Sequence, residues 1–163
     1  MELLLVRHAI AFDRNLKRWR DDRKRPLSPR GVARAQQAAR GLRRLTAAPA
    51  RLLASPLLRT HQTALILHES AHWPAPETCE ALAPGRPPEE FLRLLAGLAA
   101  TSVAAVGHAP DLGVLLGSCL GSAQTAFEFR KMGVALVRFR GRARAGAGQL
   151  VWFMPPRVLR AAG

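Results

Sequence analysis

"LLLVRHAI", residues 3–10, runs an unbroken apolar stretch straight into an Arg-His pair. A short run rich in Leu and Val predicts a buried strand, and Arg7-His8 falls where that strand ends. An ionisable pair at a strand end is either a cap or a site. The pattern recurs further along: "ARLLAS" (50–55) reads as a second strand, and "SVAAVGHAP" (102–110) as a third that ends at Gly107-His108.

Helices fill the intervals. "SPRGVARAQQAARGLRRL" (28–45) opens with Ser28 as N-cap and Pro29 at the first helical position. Val32, Ala35, Ala39, Leu42 and Leu45 give it an apolar stripe. "SPLLRTHQTALILHES" (55–70) repeats the Ser-Pro opening, so Ser55 also reads as an N-cap. After a Pro-rich turn, "PPEEFLRLLAGLAA" (87–100) carries acidic residues in its first turn, where the helix dipole favours them. Pro110 starts a further helix that Gly121 closes. Two more strand-like runs, 133–140 and 149–154, end the chain, whereas residues 11–27 are dense in charge without a period and read as an exposed loop. Strands alternating with helices predict an α/β fold, a three-layer α/β/α sandwich around a mostly parallel central sheet. No linker divides the chain, so residues 1–163 are expected to form one domain.

Composition narrows the class. A chain of 163 residues buries roughly 70% of its unfolded surface without disulfides or metals. Cys79 and Cys119 are too few for a secreted disulfide framework and are expected to be reduced, which favours the cytoplasm. There is no signal-peptide pattern and no apolar run near the ~18 residues of a membrane span, so no membrane partner is expected. The net charge of +14 comes from 22 Arg against 3 Lys, a bias that reflects coding composition as well as binding. Such a surface concentrates anions without selecting among them.

If the first three strands are parallel, Arg7-His8 and Gly107-His108 lie at carboxyl ends, where sites of α/β sheets gather. Arg59 stands in the first turn of the helix leaving the second strand, so four functional side chains share one edge. A neutral imidazole is a good nucleophile, and guanidiniums bind phosphoryl oxygens bidentately. Together they describe a phosphoryl-transfer site that needs no metal and no cofactor.

These residues resemble the histidine phosphatase (phosphoglycerate mutase-like) superfamily, in particular its small SixA-type phosphohistidine phosphatases. The resemblance is carried by "LLLVRHAIA", "RPLSPRG" (25–31), "LLASPLLRTHQTA" (52–64), "EALAPG" (80–85) and "VAAVGHAPDLGVLLGSCLG" (103–121). It implies that His8 is the nucleophile that becomes phosphorylated, that Arg7 and Arg59 clamp the phosphoryl oxygens, and that His108 completes the phosphate pocket. Glu80 stands where many relatives keep a proton donor, although the small subgroup does not always use one. Ala9 departs from the family pattern, which usually has Gly there; a methyl group fits if φ is negative. Only 48 residues separate Arg59 from His108, little room for the helical cap with which relatives enclose small metabolites. An open site suits a phosphorylated protein carrying phosphohistidine, with a small phosphorylated substrate as the alternative.

Two rival patterns are present. "HESAH" (68–72) matches the zinc-protease motif, but Trp73-Pro74 follow at once and put His72 on a fraying helix end. Arg138, Arg140, Arg142 and Arg144 alternate as a nucleic-acid-binding face would, yet no nucleic-acid motif accompanies them and the chain lacks Tyr for stacking. A charged sheet edge explains the row without nucleic acid. Trp19 reads as a local hydrophobic anchor and Asp111 as a dipole-complementing carboxylate; Lys131, before the fourth strand, reads as surface charge, with a place facing the phosphate edge as the alternative.

Overall fold

A computed structural model describes residues 1–122 and 127–163. Strand β1 (Glu2–Arg7) is central because both of its faces are apolar, as a parallel strand between two helical layers requires. Its neighbours are β4 (Ser102–Gly107), parallel, and β5 (Val134–Phe139), antiparallel. Strand β2 (Arg51–Ala54) lies parallel on the far side of β4, and β3 (Pro76–Thr78) parallel on β2. Strand β6 (Gly148–Met154) closes the other edge against β5, giving the order β3-β2-β4-β1-β5-β6.

Alternate strand residues sort into two cores. Leu4, Val6, Leu52, Ala54, Ala104 and Val106 pack beneath α1 (Pro29–Leu45), α2 (Leu58–Ala71) and α5 (Pro156–Ala161). Leu3, Leu5, Leu53, Val103 and Ala105 face α3 (Pro88–Gly97) and α4 (Asp111–Leu120). The architecture is therefore the α/β/α sandwich expected from the alternation. Leu3 and Leu5 are fully buried, and truncating either to Ala would cost about 2–5 kcal/mol.

Three local features differ from the sequence expectation. Strand β3 occupies what reads as a Pro-rich turn, and α5 follows the last strand. Helix α2 starts at Leu58, with Leu57 at the cap position and no side-chain cap, so Ser55 is not an N-cap. Ser28 does cap α1, its hydroxyl accepting from the Gly31 N–H at 3.1 Å. At Gly31 the helix crosses the backbone just beyond β1 so closely that a Cβ would overlap the Ile10 carbonyl oxygen. The apparent loop at 11–27 is rooted at both ends by an Ala11–Leu27 bridge, with both residues buried.

Candidate active site

The β1–β4 register pairs Arg7 with Gly107, so His8 and His108 are the first residues beyond two adjacent parallel strand ends. The His8 N–H donates to the Gly107 carbonyl at 3.0 Å, and the two imidazole centroids stand 5.2 Å apart. Both side chains are buried. His8 Nδ1 lies 2.7 Å from the Ala9 carbonyl oxygen, which only accepts, so Nδ1 carries the proton and Nε2 keeps its lone pair. Burial, supported by His108, Arg59 and Arg7 and opposed by the Ala9 bond, lowers the His8 pKa to about 3. The imidazole is accordingly neutral at physiological pH. Ala9 has negative φ and is fully buried; its N–H donates to Thr63 Oγ1 at 3.0 Å, and that hydroxyl donates to the Arg59 carbonyl at 2.7 Å. This chain of bonds couples the backbone after His8 to the first turns of α2.

Ser55 serves His108. Strand β2 pairs Ala54 with Val106, which sets Ser55 beside the end of β4, and its hydroxyl lies 2.8 Å from His108 Nε2. Desolvation by burial, then Arg59, lowers His108 to about 3 against a smaller opposing effect of Asp22.

Arg59 projects from the first turn of α2 and is only 5% exposed. It meets the charged loop: Nη2 lies 3.2 Å from an Asp22 carboxylate oxygen, and Nη1 donates to the Asp22 carbonyl at 2.9 Å. Arg25 Nε binds the same carboxylate at 2.8 Å, with Arg14 at 3.9 Å. The Arg25 hydrogen bond is the leading cause that lowers the Asp22 pKa. Arg7 donates through Nη1 to the Phe129 carbonyl at 2.5 Å, and the Met132 N–H donates to the Arg7 carbonyl. The turn before β5 is thereby fixed beside the site.

These groups surround a cavity of about 480 Å³. Arg7, His8, Arg59 and His108 line it, as sequence reading anticipated, together with Asp22, Arg25 and Lys131. Lys131 thus faces the site, and its pKa is lowered by burial and then by Arg7 and Arg25. Asp111 lines the rim at the start of α4. Glu80 is exposed and lines an adjoining hollow with Arg23, Pro56 and Leu57; Asp22 and Pro84 border both spaces. Arg7 Nε, Arg59 Nε and His108 Nδ1 are buried without a hydrogen-bond partner. Three such nitrogens around one cavity are unusual in a native protein and fit an anionic ligand.

The rival motifs fare differently. Helix α2 ends at Ala71, His72 is its left-handed C-cap, and the His68 Nδ1–H donates to the Trp73 carbonyl at 2.7 Å. Among the described residues no three His, Cys, Asp or Glu side chains gather as a metal site. In the alternating arginine row, Arg138 pairs with Glu2 at 2.8 Å. Trp19 packs against Phe12 with the Arg18 guanidinium over both rings, a local anchor. Both cysteines are free and buried, and no described helix is long and apolar enough to cross a membrane.

Known proteins resemble this chain in sequence and in fold. The profile of the histidine phosphatase superfamily (branch 1) matches residues 3–83. A protein histidine phosphatase SixA, solved in complex with tungstate, superposes with a TM-score of 0.84 at 26% identity, over 98% of this chain and 99% of that one. An uncharacterized Picosynechococcus protein is 39% identical over 116 residues, 69% of each chain. A phosphoserine phosphatase from Entamoeba histolytica, bound to 3-phosphoglyceric acid, shares the fold at a TM-score of 0.68 and 15% identity, over 97% of this chain and 98% of that one. The chain belongs to the histidine phosphatase superfamily and is a phosphatase.

Proposed function

We propose that residues 1–163 form a single histidine phosphatase domain that removes phosphoryl groups from phosphohistidine in proteins through a covalent phosphohistidine enzyme, without a metal. The observation that carries this reading is the neutral His8, its Nε2 free of the Ala9 hydrogen bond, in a cavity shared with Arg7, Arg59 and His108. Nε2 attacks phosphorus in line, the bond from phosphorus to the leaving nitrogen breaks, and the leaving imidazole departs carrying its proton. Water then attacks the phosphoryl group on His8, inorganic phosphate leaves, and neutral His8 is restored. Arg7 and Arg59 balance charge on the equatorial oxygens, and His108, oriented by Ser55, hydrogen-bonds one of them.

Tungstate bound to the SixA relative is a tetrahedral oxyanion, in keeping with such a pocket. Because a phosphoramidate nitrogen can be protonated in advance, Glu80 is dispensable for this substrate, and a proton donor at that position serves esters. The two free thiols accord with a cytoplasmic setting.

Hydrolysis of a phosphohistidine peptide and of an aryl phosphate, with EDTA present, tests the proposal. Native protein is expected to trap acid-labile phosphate and His8→Ala to lose both trapping and turnover. Glu80→Gln should stay within about twofold on the phosphohistidine peptide. Turnover unaffected by His8→Ala would refute the nucleophile, and a strong preference for the aryl phosphate would favour the small-ester reading.

A further inference from the structure

A second, larger hollow of about 680 Å³ adjoins the candidate site and shares Arg7 and Lys131 with it. Its other basic walls are Arg34 on α1, Arg130 before β5, and Arg157 and Arg160 on α5. Arg157 and Arg160 are three residues apart and share a helical face. Glu128 is the one carboxylate lining the hollow, and none of Arg34, Arg130, Lys131, Arg157 or Arg160 is ion-paired with a described residue. Elsewhere Arg25, Arg51, Arg59, Arg86 and Arg138 each meet a carboxylate.

We propose that this groove docks an acidic segment of the phosphorylated protein, whose carboxylates meet the arginines of α1, α5 and the 130–131 turn while the phosphoryl group lies against His8. The inference rests on the reading of protein phosphohistidine as substrate. The cations come from three separate elements along an open trough, a spread that suits several carboxylates on a polypeptide better than one compact phosphate. Ile10, Pro155 and Pro156 form the apolar part of the lining, and no aromatic ring stands among the lining residues to stack a base, so the surface fits an acidic peptide better than a nucleic acid. Docking there would extend the binding surface from the reacting phosphorus toward α5, giving selectivity that the phosphoryl clamp alone does not provide.

The test compares native protein with the double variant Arg157→Glu/Arg160→Glu and with Arg157→Lys/Arg160→Lys. Three probes are used: a phosphohistidine peptide with Asp and Glu flanks, the same peptide with neutral flanks, and an aryl phosphate. At low salt, charge reversal is expected to lower kcat/KM for the acidic peptide by about tenfold, leave the other two probes within about twofold, and be largely rescued by the Lys pair. An unchanged ratio of acidic to neutral peptide would overturn the groove assignment. Should neither peptide turn over while the aryl phosphate does, the protein-substrate reading has failed by itself. The unphosphorylated acidic peptide then serves as inhibitor of aryl phosphate hydrolysis: inhibition weakened by charge reversal supports the groove, and absence of inhibition overturns it. A single-stranded oligonucleotide that inhibits more strongly than an acidic peptide of equal charge would likewise overturn it in favour of nucleic acid.

Discussion

Lowering the pH from 7 to 5 should destabilise this protein through its two buried imidazoles. His8 and His108 each hold a pKa of about 3 in the folded chain against 6.5 when unfolded. Between those limits the unfolded state binds more protons, so stability rises with pH across the window and is lost as pH falls from about 6.5 toward 3. Above 6.5 both states are neutral and neither imidazole contributes. From pH 7 to 5 the free-energy change is about 2 kcal/mol for each histidine, worked from a fully neutral folded side chain and an unfolded pKa of 6.5. For a chain of this size that corresponds to a Tm lower by about 4–8 °C per histidine. The assay is urea unfolding at pH 7 and pH 5 in buffers without phosphate, because an oxyanion in the cavity would favour the imidazolium. The native protein is compared with His8→Asn, which removes one titrating group. The variant should lose about 2 kcal/mol less than the native protein over the same interval, whatever its stability at pH 7. Parallel pH dependences of the two proteins would refute the assignment of a desolvated, neutral His8.

Other perturbations probe the supporting residues. Ser55→Ala leaves His108 Nε2 buried without its hydroxyl partner and should cost about 1–3 kcal/mol in urea unfolding, with a fall in kcat for the proposed hydrolysis. Asp22→Asn removes a carboxylate from Arg59 and Arg25, so inhibition by inorganic phosphate should tighten by about three- to tenfold at low salt; an unchanged or weaker inhibition constant would mean that Asp22 chiefly positions Arg59. Gly41→Ala would drive a Cβ into the Leu159 carbonyl oxygen and lift α5 from α1, lowering stability by about 1–3 kcal/mol in thermal or urea unfolding.

The sheet was legible because its central strands are buried on both faces, and such strands show as continuous apolar runs: 3–6, 52–54 and 103–106. Ser28 announced α1 correctly because its partner, the Gly31 N–H, is local. The same Ser-Pro signature misled at Ser55, where a tertiary bond to a residue 53 positions away takes the hydroxyl. Strand β3 has three residues, begins at a proline and lies on the edge, so neither length nor alternation marks it. Arg7, His8 and His108 could be brought together from strand ends, and Arg59 from the first turn of the helix that leaves the second strand. Asp22 could not, since it sits in a charged stretch without periodicity and reaches the cavity through the fold of a loop. Lys131 was open to either reading, because its place before the fourth strand-like run left both the phosphate edge and the surface available, and the turn before β5 sets it on the cavity.

The bond from the His8 N–H to the Gly107 carbonyl fixes the spacing of positions 8 and 108 by backbone alone. Neither imidazole contributes to that spacing, and the adjoining pairs of the β1–β4 ladder maintain it. The two positions therefore behave as sockets at constant pitch, into which other reactive side chains can be set without redesigning the frame. The 11–27 loop and the turn before β5 instead hold the guanidiniums, through Asp22 on Arg59 and the Phe129 carbonyl on Arg7, while the sockets stay where the sheet holds them. A scaffold built this way sets the two histidine positions and the two guanidiniums by separate means, so the pitch of the sockets can be kept constant while the clamp around them is altered experimentally.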